Sequence, residues 1–345
     1  MREARVARRV AGRRAERGAR NGRLRFVLLA PLLGLIPAWG CSPASGVEAP
    51  DLPAAPRLER VILLHDNDTH FHDNLRSEVL DWIDALRAGA DPVYLLSAGD
   101  IVVRNEDRWP AGADMAWYEA EGRRMMDRMN VLRYDLATFG NHELDLKFAG
   151  GRNLTREVLE EARFPWLAAN LTSEPDHLPA HEPFRVLGGG DDGPSLAVLG
   201  LTVINFDPLP GMEQEDFHEA TARYLHLAEG HDALVLLTHI GIRYEIELAN
   251  AFPEISVILG GHTHTLLPEA LHVNGVLVAQ AGGNSHIHDA MREPFMGVAV
   301  LEFEDRHLVR TCGWVVRIGP DGARLAGDVA PRRDWSPTDP PRCAA

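Results

Sequence analysis

Five short apolar runs in this chain break off at side chains that bind metals or move protons, and a sixth ends in an asparagine. They read ILLHDNDTH (62–70), VYLLSAGD (93–100), LATFGNHELD (136–145), LVLLTH (234–239), ISVILGGHTH (255–264) and FPWLAAN (164–170). Brief aliphatic runs bounded by polar or glycine residues are strand signals. Between them lie helical spacings, with Leu75, Val79, Trp82, Ile83 and Leu86 in one stretch and Tyr118, Met125, Met126 and Met129 in another. Strand–helix alternation of this kind restricts the chain to the α/β class. In that class the carboxyl ends of parallel strands open onto the crevice where ligands bind. Asp68, His70, Asp100, Asn141, His142, His239, His262 and His264 are therefore expected to converge on one site.

Imidazole and oxygen donors with no cysteine among them suit Zn, Mn or Fe, and the set is large enough for two divalent ions. That combination points to a dinuclear metal hydrolase. The Met125–Met129 cluster reads as core filling instead of a ligand site. The glycine-rich segment Gly188–Pro194 reads as a turn between strands, because no GK[ST] and no helix follow it.

The N-terminus is a separate matter. Residues 1–25 hold ten Arg and two Glu, and Phe26–Ile36 is an eleven-residue apolar run followed by Pro37-Ala38-Trp39-Gly40-Cys41. A basic n-region, a short apolar h-region and small residues before a cut site describe an export signal over residues 1–40. The alternative is a basic arm that binds nucleic acid or a membrane surface. Cys41 stands where a lipoprotein signal is cut and acylated, which implies anchoring to a membrane in the cell envelope; ordinary cleavage nearby would leave a secreted protein. Residues 41–58 are rich in Pro, Ala and Ser and suit a tether. Beyond them a globular domain is expected over 59–330, with a short tail at 331–345.

Residues 41–345 carry 25 basic against 48 acidic side chains, a net charge of −23. So acidic a body argues against binding duplex nucleic acid through its phosphates. A small phosphate ester remains compatible, since bound cations dominate their local field. Cys312 and Cys343 either pair in an oxidising compartment or stay as thiols, and the sequence leaves both open. A monomer is expected.

Asn141-His142-Glu143-Leu144-Asp145 after Gly140 is the most specific motif. Asn141 offers an amide oxygen to a metal, His142 points elsewhere for proton transfer, and Asp145, one turn on, can hold the His142 ring. Gly260-Gly261-His262-Thr263-His264 is nearly as specific: histidines at i and i+2 of an extended chain face the same way. In Asp66-Asn67-Asp68-Thr69-His70 both aspartates share one strand face, so periodicity does not choose between them. His65, His72, His286 and His288 are weighed as extra ligands, but surface histidines are the better reading.

On N67-D68-T69-H70, G99-D100, G140-N141-H142-E143-L144-D145, A169-N170, T238-H239 and G260-G261-H262-T263-H264, in that order, the chain resembles the calcineurin-like metallophosphoesterases, within them the bacterial 5′-nucleotidase and 2′,3′-cyclic phosphodiesterase family. The resemblance implies a four-layer αββα sandwich. It implies that Asp68, His70 and His264 bind one metal, that Asn141, His239 and His262 bind a second, and that Asp100 bridges them. It selects Asp68 over Asp66. It implies attack on a phosphate ester by a hydroxide bridging the ions, with His142 as the catalytic histidine oriented by Asp145.

Three departures accompany the match. Leu144 replaces the family's usual Phe, and Phe71 follows His70 where the family prefers Gly, which predicts a tighter rim. Family nucleotidases also carry a C-terminal domain that stacks on the base, and this chain ends before one, so weak nucleoside discrimination is expected. Trp109, Trp117 and Tyr118, in an insertion after Asp100, either replace that stacking surface or pack as the insertion's own core, the second being favoured. Two other readings stand beside the phosphoesterase: a thiosulfohydrolase-like hydrolase of a non-phosphorus ester, and a non-catalytic envelope binding module.

Overall fold

The computed structural model describes residues 58–71, 77–102, 109–205, 209–283, 295–319, 322–325 and 343. The export signal, Cys41, the tether up to residue 57, His72, His286, His288 and the tail other than Cys343 lie outside the described residues.

Two sheets form the centre. The larger has eight strands in the spatial order 322–325, 307–319, 295–304, 58–66, 93–97, 136–138, 166–167, 181–182. Its half from Leu58–Asp66 to His181–Glu182 is parallel, whereas Phe295–Glu304 runs antiparallel to Leu58–Asp66. The smaller sheet has six strands in the order 271–273, 276–280, 257–260, 233–239, 196–202, 184–187, parallel in its four central members. The apolar segment Val276–Ala279 reads from sequence as an antiparallel strand, yet Val276–Gln280 is parallel to Val257–Gly260. Its antiparallel partner is only the short Leu271–Val273, joined by an Asn274–Gly275 turn in which both residues have positive φ. That two-residue turn dictates the hairpin, while the long excursion after Gly260 returns the chain in the parallel direction.

The strands alternate in what they bury. Ile62, Leu64 and Leu95 of the larger sheet join the Ser77–Arg87 and Met115–Leu132 helices, burying Val79, Ile83, Met125, Met126 and Met129. Val61, Leu63 and Leu96 face the other way and meet Val198, Val235, Leu237 and Leu259 of the smaller sheet. Leu199, Leu234 and Leu236 then face the Phe217–Tyr224 and Ile242–Ala251 helices through Phe217, Ala220 and Leu248. Three apolar interlayers between helix, sheet, sheet and helix make the expected αββα sandwich. Because both faces of each sheet are covered, the strands read as continuous apolar runs.

Local chemistry starts and stops the elements. Asp114 caps Met115–Leu132 by accepting the N–H groups of Ala116 and Trp117 at 3.0 Å. Asn170 closes the gap between the sheets by bonding both ways to Thr202, at 2.8 and 2.9 Å, so this polar strand end is a clasp. The Gly188–Pro194 segment is a turn, as expected, and Arg306 reaches across from the other sheet to the Gly190 carbonyl at 2.6 Å. Cys312 and Cys343 form a disulfide, their Cα atoms 5.5 Å apart, which pins Cys343 beside Glu302.

Candidate metal centre

The strands deliver their last residues to one edge: Asp66 pairs with Ser97, Thr202 with His239 and Gly260 with Gln280. Beyond that edge the backbone leaves extended geometry. Asp68, His70, Asp100, His262 and His264 all have φ between 47° and 77°, five of the ten described non-glycine residues with positive φ. Such residues cost on the order of 1–3 kcal/mol each and persist where the surroundings over-determine them. Here the two loops brace each other, since the N–H groups of Asp68 and His70 donate to the carbonyls of Gly99 and Asp100 at 2.9 Å.

A buried carboxylate completes the brace. Glu143 accepts N–H groups from Gly140 (2.7 Å), Asp100 (2.8 Å), Ile101 (2.7 Å) and Val102 (2.9 Å). Gly140 is needed because a Cβ there would collide with the Asp100 carboxylate.

Each proposed ligand has one atom tied down and another left to the site. Asp68 Oδ2 accepts from Asn67 Nδ2 at 2.6 Å and from the His262 N–H at 2.9 Å. Its Oδ1 lies 3.1 Å from His264 Nε2 and 3.9 Å from both His70 Nε2 and His239 Nε2. Asp100 Oδ1 accepts the His142 N–H at 2.9 Å, while Oδ2 lies 3.2 Å from His239 Nε2 and 3.7 Å from the Nε2 atoms of His70 and His142. His70 Nδ1 and His239 Nδ1 sit against the carbonyls of Val102 and Ala98 at 3.3 and 2.6 Å. A donor role at Nδ1 leaves Nε2 as a lone-pair ligand. His262 Nδ1 meets Asn141 Oδ1 at 2.8 Å.

Three groupings follow, each with ligand atoms mutually within 4.8 Å: Asp68–His70–His264, His70–Asp100–His142 and Asp68–Asp100–His239. The donors fit divalent metal. His70 Nε2 faces His264 Nε2 at 3.3 Å, and the buried Asp68 Oδ1 and His239 Nε2 have the site's own groups as neighbours, His264 Nε2 and Asp100 Oδ2. Donors crowded in this way share protons when the site is empty and suit a cation between them when it is filled. Burial pushes the Asp100 carboxyl up, but the His239, His70 and His142 charges outweigh it and hold it far below the usual carboxylate range. Burial opposes the charged form of His239, yet Asp100 and Asp68 raise it to about 10.

All the expected ligands are thus brought together, with His142. His142 and His264 are also the exposed side of the cluster, their side chains 18% and 24% accessible, while His239 is fully covered. Asp145 caps the one-turn Asn141–Leu144 helix and ion-pairs with Lys147 at 3.0 Å.

Several expectations need correction. His262 and His264 share the site through left-handed backbone, not through an extended i, i+2 alternation. They also serve different neighbours, Asn141 and Asp68. Phe71 does not tighten the rim; it is buried edge-on against Trp117 and Tyr118, 5.8 and 5.5 Å between ring centroids. Trp109 stacks on Tyr118 in the same core, as favoured. His65 is buried, not a surface histidine, and no described group partners either ring nitrogen. Asp66 faces away from the cluster and takes the Tyr134 hydroxyl; burial raises its carboxyl to about 6. Leu144 is core.

Sequence reasoning missed Asn67, Glu143, Glu245 and Gln280. Glu143 had a usable signal, an acid three residues after a helix-starting glycine. Glu245 and Gln280 had none.

The layered fold and this donor set define an α/β phosphoesterase core of the metal-dependent kind. The chain belongs to the calcineurin-like phosphoesterase family, whose model matches residues 63–266. It is 28% identical over 288 residues to the trifunctional nucleotide phosphoesterase YfkN of Bacillus subtilis, covering 72% of this chain and 18% of that protein. It is 30% identical over 239 residues to the metallophosphoesterase YunD of the same organism, covering 66% of this chain and 48% of that one. The chain therefore spans less than half the length of either relative. Among solved structures, a 5′-nucleotidase precursor from Thermus thermophilus shares the fold, with a TM-score of 0.60, 24% identity and coverage of 76% of this chain and 55% of that one.

Proposed function

We propose that this protein hydrolyses small phosphate esters, nucleotides foremost, using two divalent ions of the Mn, Zn or Fe type. Asp68, His70 and His264 would hold one ion, Asn141, His239 and His262 the other, with Asp100 shared. The observation that carries the reading is the convergence of Asp68 Oδ1, Asp100 Oδ2 and the Nε2 atoms of His70, His239 and His264, at 3.1–3.9 Å. The name of the YfkN relative favours nucleotides among the esters.

When bound, such ions polarise phosphoryl oxygens and acidify a water for in-line attack. The chain's own groups supply the rest. Asp68 and Asp100 stay ionised and fix the charge of the site. His142, on the accessible side with its backbone tied to Asp100, is placed to protonate the leaving oxygen, a role typically worth about 10²–10⁴-fold. Asp145 would hold the His142 ring, as its place in the motif suggests; here Asp145 pairs with Lys147, and no hydrogen bond among the described residues reaches His142 Nδ1.

Leaving groups should be poorly discriminated, since the Trp109–Tyr118 aromatics pack into core. A panel of nucleoside mono- and cyclic phosphates, aryl phosphates and sugar phosphates, assayed with Mn²⁺, Zn²⁺ or Mg²⁺, tests both points. No turnover of any ester by metal-loaded protein refutes the phosphoesterase; a preference above about a hundredfold for one nucleotide, roughly 2.7 kcal/mol, refutes only the loose specificity.

On the sequence of residues 1–41 the same reading places the protein in the cell envelope, anchored through acylated Cys41. Membrane fractionation and intact mass of wild type against Cys41→Ser decide this, and a soluble protein lacking an acyl mass increment rules out the anchor.

A further inference from the structure

The strand that ends at Gln280 carries no proposed ligand, yet its last side chain touches the loop that carries two. Gln280 is fully buried. Its Nε2 donates to the Gly261 carbonyl at 3.0 Å, and its Oε1 accepts the Thr265 N–H at 3.1 Å and the Thr263 hydroxyl at 3.2 Å. Residues 261, 263 and 265 alternate with His262 and His264, so one amide grips the chain on both sides of each histidine. Those two histidines have φ of 77° and 50°. A backbone so far from its preferred basins relaxes unless held.

The amide has its own brace. Gln280 Nε2 also lies 2.8 and 3.0 Å from the two oxygens of Glu245, a fully buried acid on the Ile242–Ala251 helix whose pKa burial raises to about 8. Both Glu245 oxygens face Nε2, so the amide turns its NH₂ end to Glu245 and keeps Oε1 for the loop. Glu245 further accepts the hydroxyl of Thr238, the residue before His239, at 3.2 Å. Gly260 is glycine because a Cβ would run into the Glu245 carboxylate. One buried hydrogen-bonded unit thus reaches the neighbours of His239, His262 and His264 without touching the ligand atoms.

We propose that Gln280, oriented by Glu245, is a positioning residue for the metal centre: it sets the presentation of His262 and His264 and thereby the affinity for divalent metal. This rests on the metal assignment above. Losing it leaves the strands paired but lets the 261–265 loop leave its left-handed geometry, so the histidines must be reordered when metal binds.

The test is calorimetric titration of Mn²⁺ into full-length, chelator-stripped protein, with thermal melts in EDTA run alongside. Ser195→Ala is the control, since Ser195 bonds Asp232 at the opposite end of the same sheet. Gln280→Ala is expected to weaken Mn²⁺ binding at least tenfold, while its melt in EDTA falls no further than that of Ser195→Ala. Ser195→Ala should bind Mn²⁺ like wild type. In turnover assays, excess Mn²⁺ should return the kcat of Gln280→Ala to near the wild-type value. Glu245→Gln, which lets the facing amide turn over, should fall between wild type and Gln280→Ala. If Gln280→Ala does not fold, Gln280→Asn and Glu245→Gln decide by the same titration. Wild-type affinity in the folded variants, or an equal loss in Ser195→Ala, overturns the proposal. Wild type that binds no Mn²⁺, Zn²⁺ or Fe²⁺ overturns the metal assignment as well.

Discussion

The Glu143 carboxylate accepts the backbone N–H of Asp100 at 2.8 Å, and so the motif that carries His142 also fixes the shape of the loop that carries Asp100. Two segments some 40 residues apart are locked by a side chain that touches no proposed ligand atom. Asp100 sits at φ 57° with the N–H groups of Ile101 and Val102 turned toward the same carboxylate.

Removing that carboxylate should therefore act on stability and on metal together. Glu143→Ala leaves four buried N–H groups unpaired, each worth about 1–3 kcal/mol, and should lower stability by about 3 kcal/mol or more with loss of bound metal. Glu143→Gln keeps acceptor capacity on one oxygen and should be milder. Denaturant unfolding and elemental analysis of both variants measure this. Unchanged metal content in a folded Glu143→Ala would remove the link between this brace and the site.

Ligand and catalytic roles separate in the next comparison. His142 Nε2 is as near to Asp100 Oδ2, at 3.7 Å, as His70 Nε2 is, so proximity alone does not tell a ligand from a proton donor. Asp100→Asn and His262→Ala should each lower bound metal and abolish turnover of an aryl phosphate. His142→Ala should keep its metal and lose about 10²–10⁴-fold in rate. Melting temperature gives an independent readout: a metal present at a hundred times its Kd should add about 2.7 kcal/mol in wild type and in His142→Ala, and far less in the other two. Complete metal loss in His142→Ala would make it a ligand.

What the sequence disclosed about this site, and what it hid, follow from range and from geometry. Apolar runs with a polar last residue announce strand ends because burial on both faces leaves no other place for an aspartate or histidine. Alternation then fails just past the strand. Asp66 and Asp68 have the same parity, but the strand stops at Asp66, and a φ of 54° at Asp68 turns its carboxylate to the site while Asp66 meets Tyr134. The resemblance to the family, not periodicity, separated them. Glu245 and Gln280 were invisible for a different reason. Their partners lie 7 to 35 residues away, reached from an ordinary amphipathic helix and an ordinary strand, and neither pattern marks the position. The Val276 strand direction was missed because apolarity encodes burial and carries no arrow.

The disulfide supplies a prediction about the C-terminus. Cys312 and Cys343 are 31 residues apart, and closing a loop of that size restricts the unfolded chain by about 3–4 kcal/mol. Cys312→Ser, or reduction of wild type, should lower the melting temperature by roughly 5–15 °C for a domain of this size. Peptide mapping without reductant should recover the Cys312–Cys343 crosslink. Two alkylatable thiols in protein exported to an oxidising compartment would contradict the pairing.

His65 should govern part of the acid sensitivity of the fold. It is packed against Gly297, with neither ring nitrogen partnered among the described residues, and burial lowers its pKa to about 4 from an ordinary 6.5. The folded pKa is below the unfolded one, so between these values the unfolded chain binds a proton that the folded chain refuses. Stability attributable to this residue is therefore constant above about pH 6.5, falls as the pH drops toward 4, and is flat below that. The depression corresponds to about 3 kcal/mol over the whole window. His65→Leu removes the titration, whatever its effect on packing at neutral pH, and should flatten the pH dependence by that amount. Urea unfolding of both proteins in EDTA at pH 7, 6, 5 and 4.5 gives the comparison, and the quantity of interest is the difference in slope. Parallel curves for wild type and His65→Leu would mean that the buried imidazole finds its proton in the folded state.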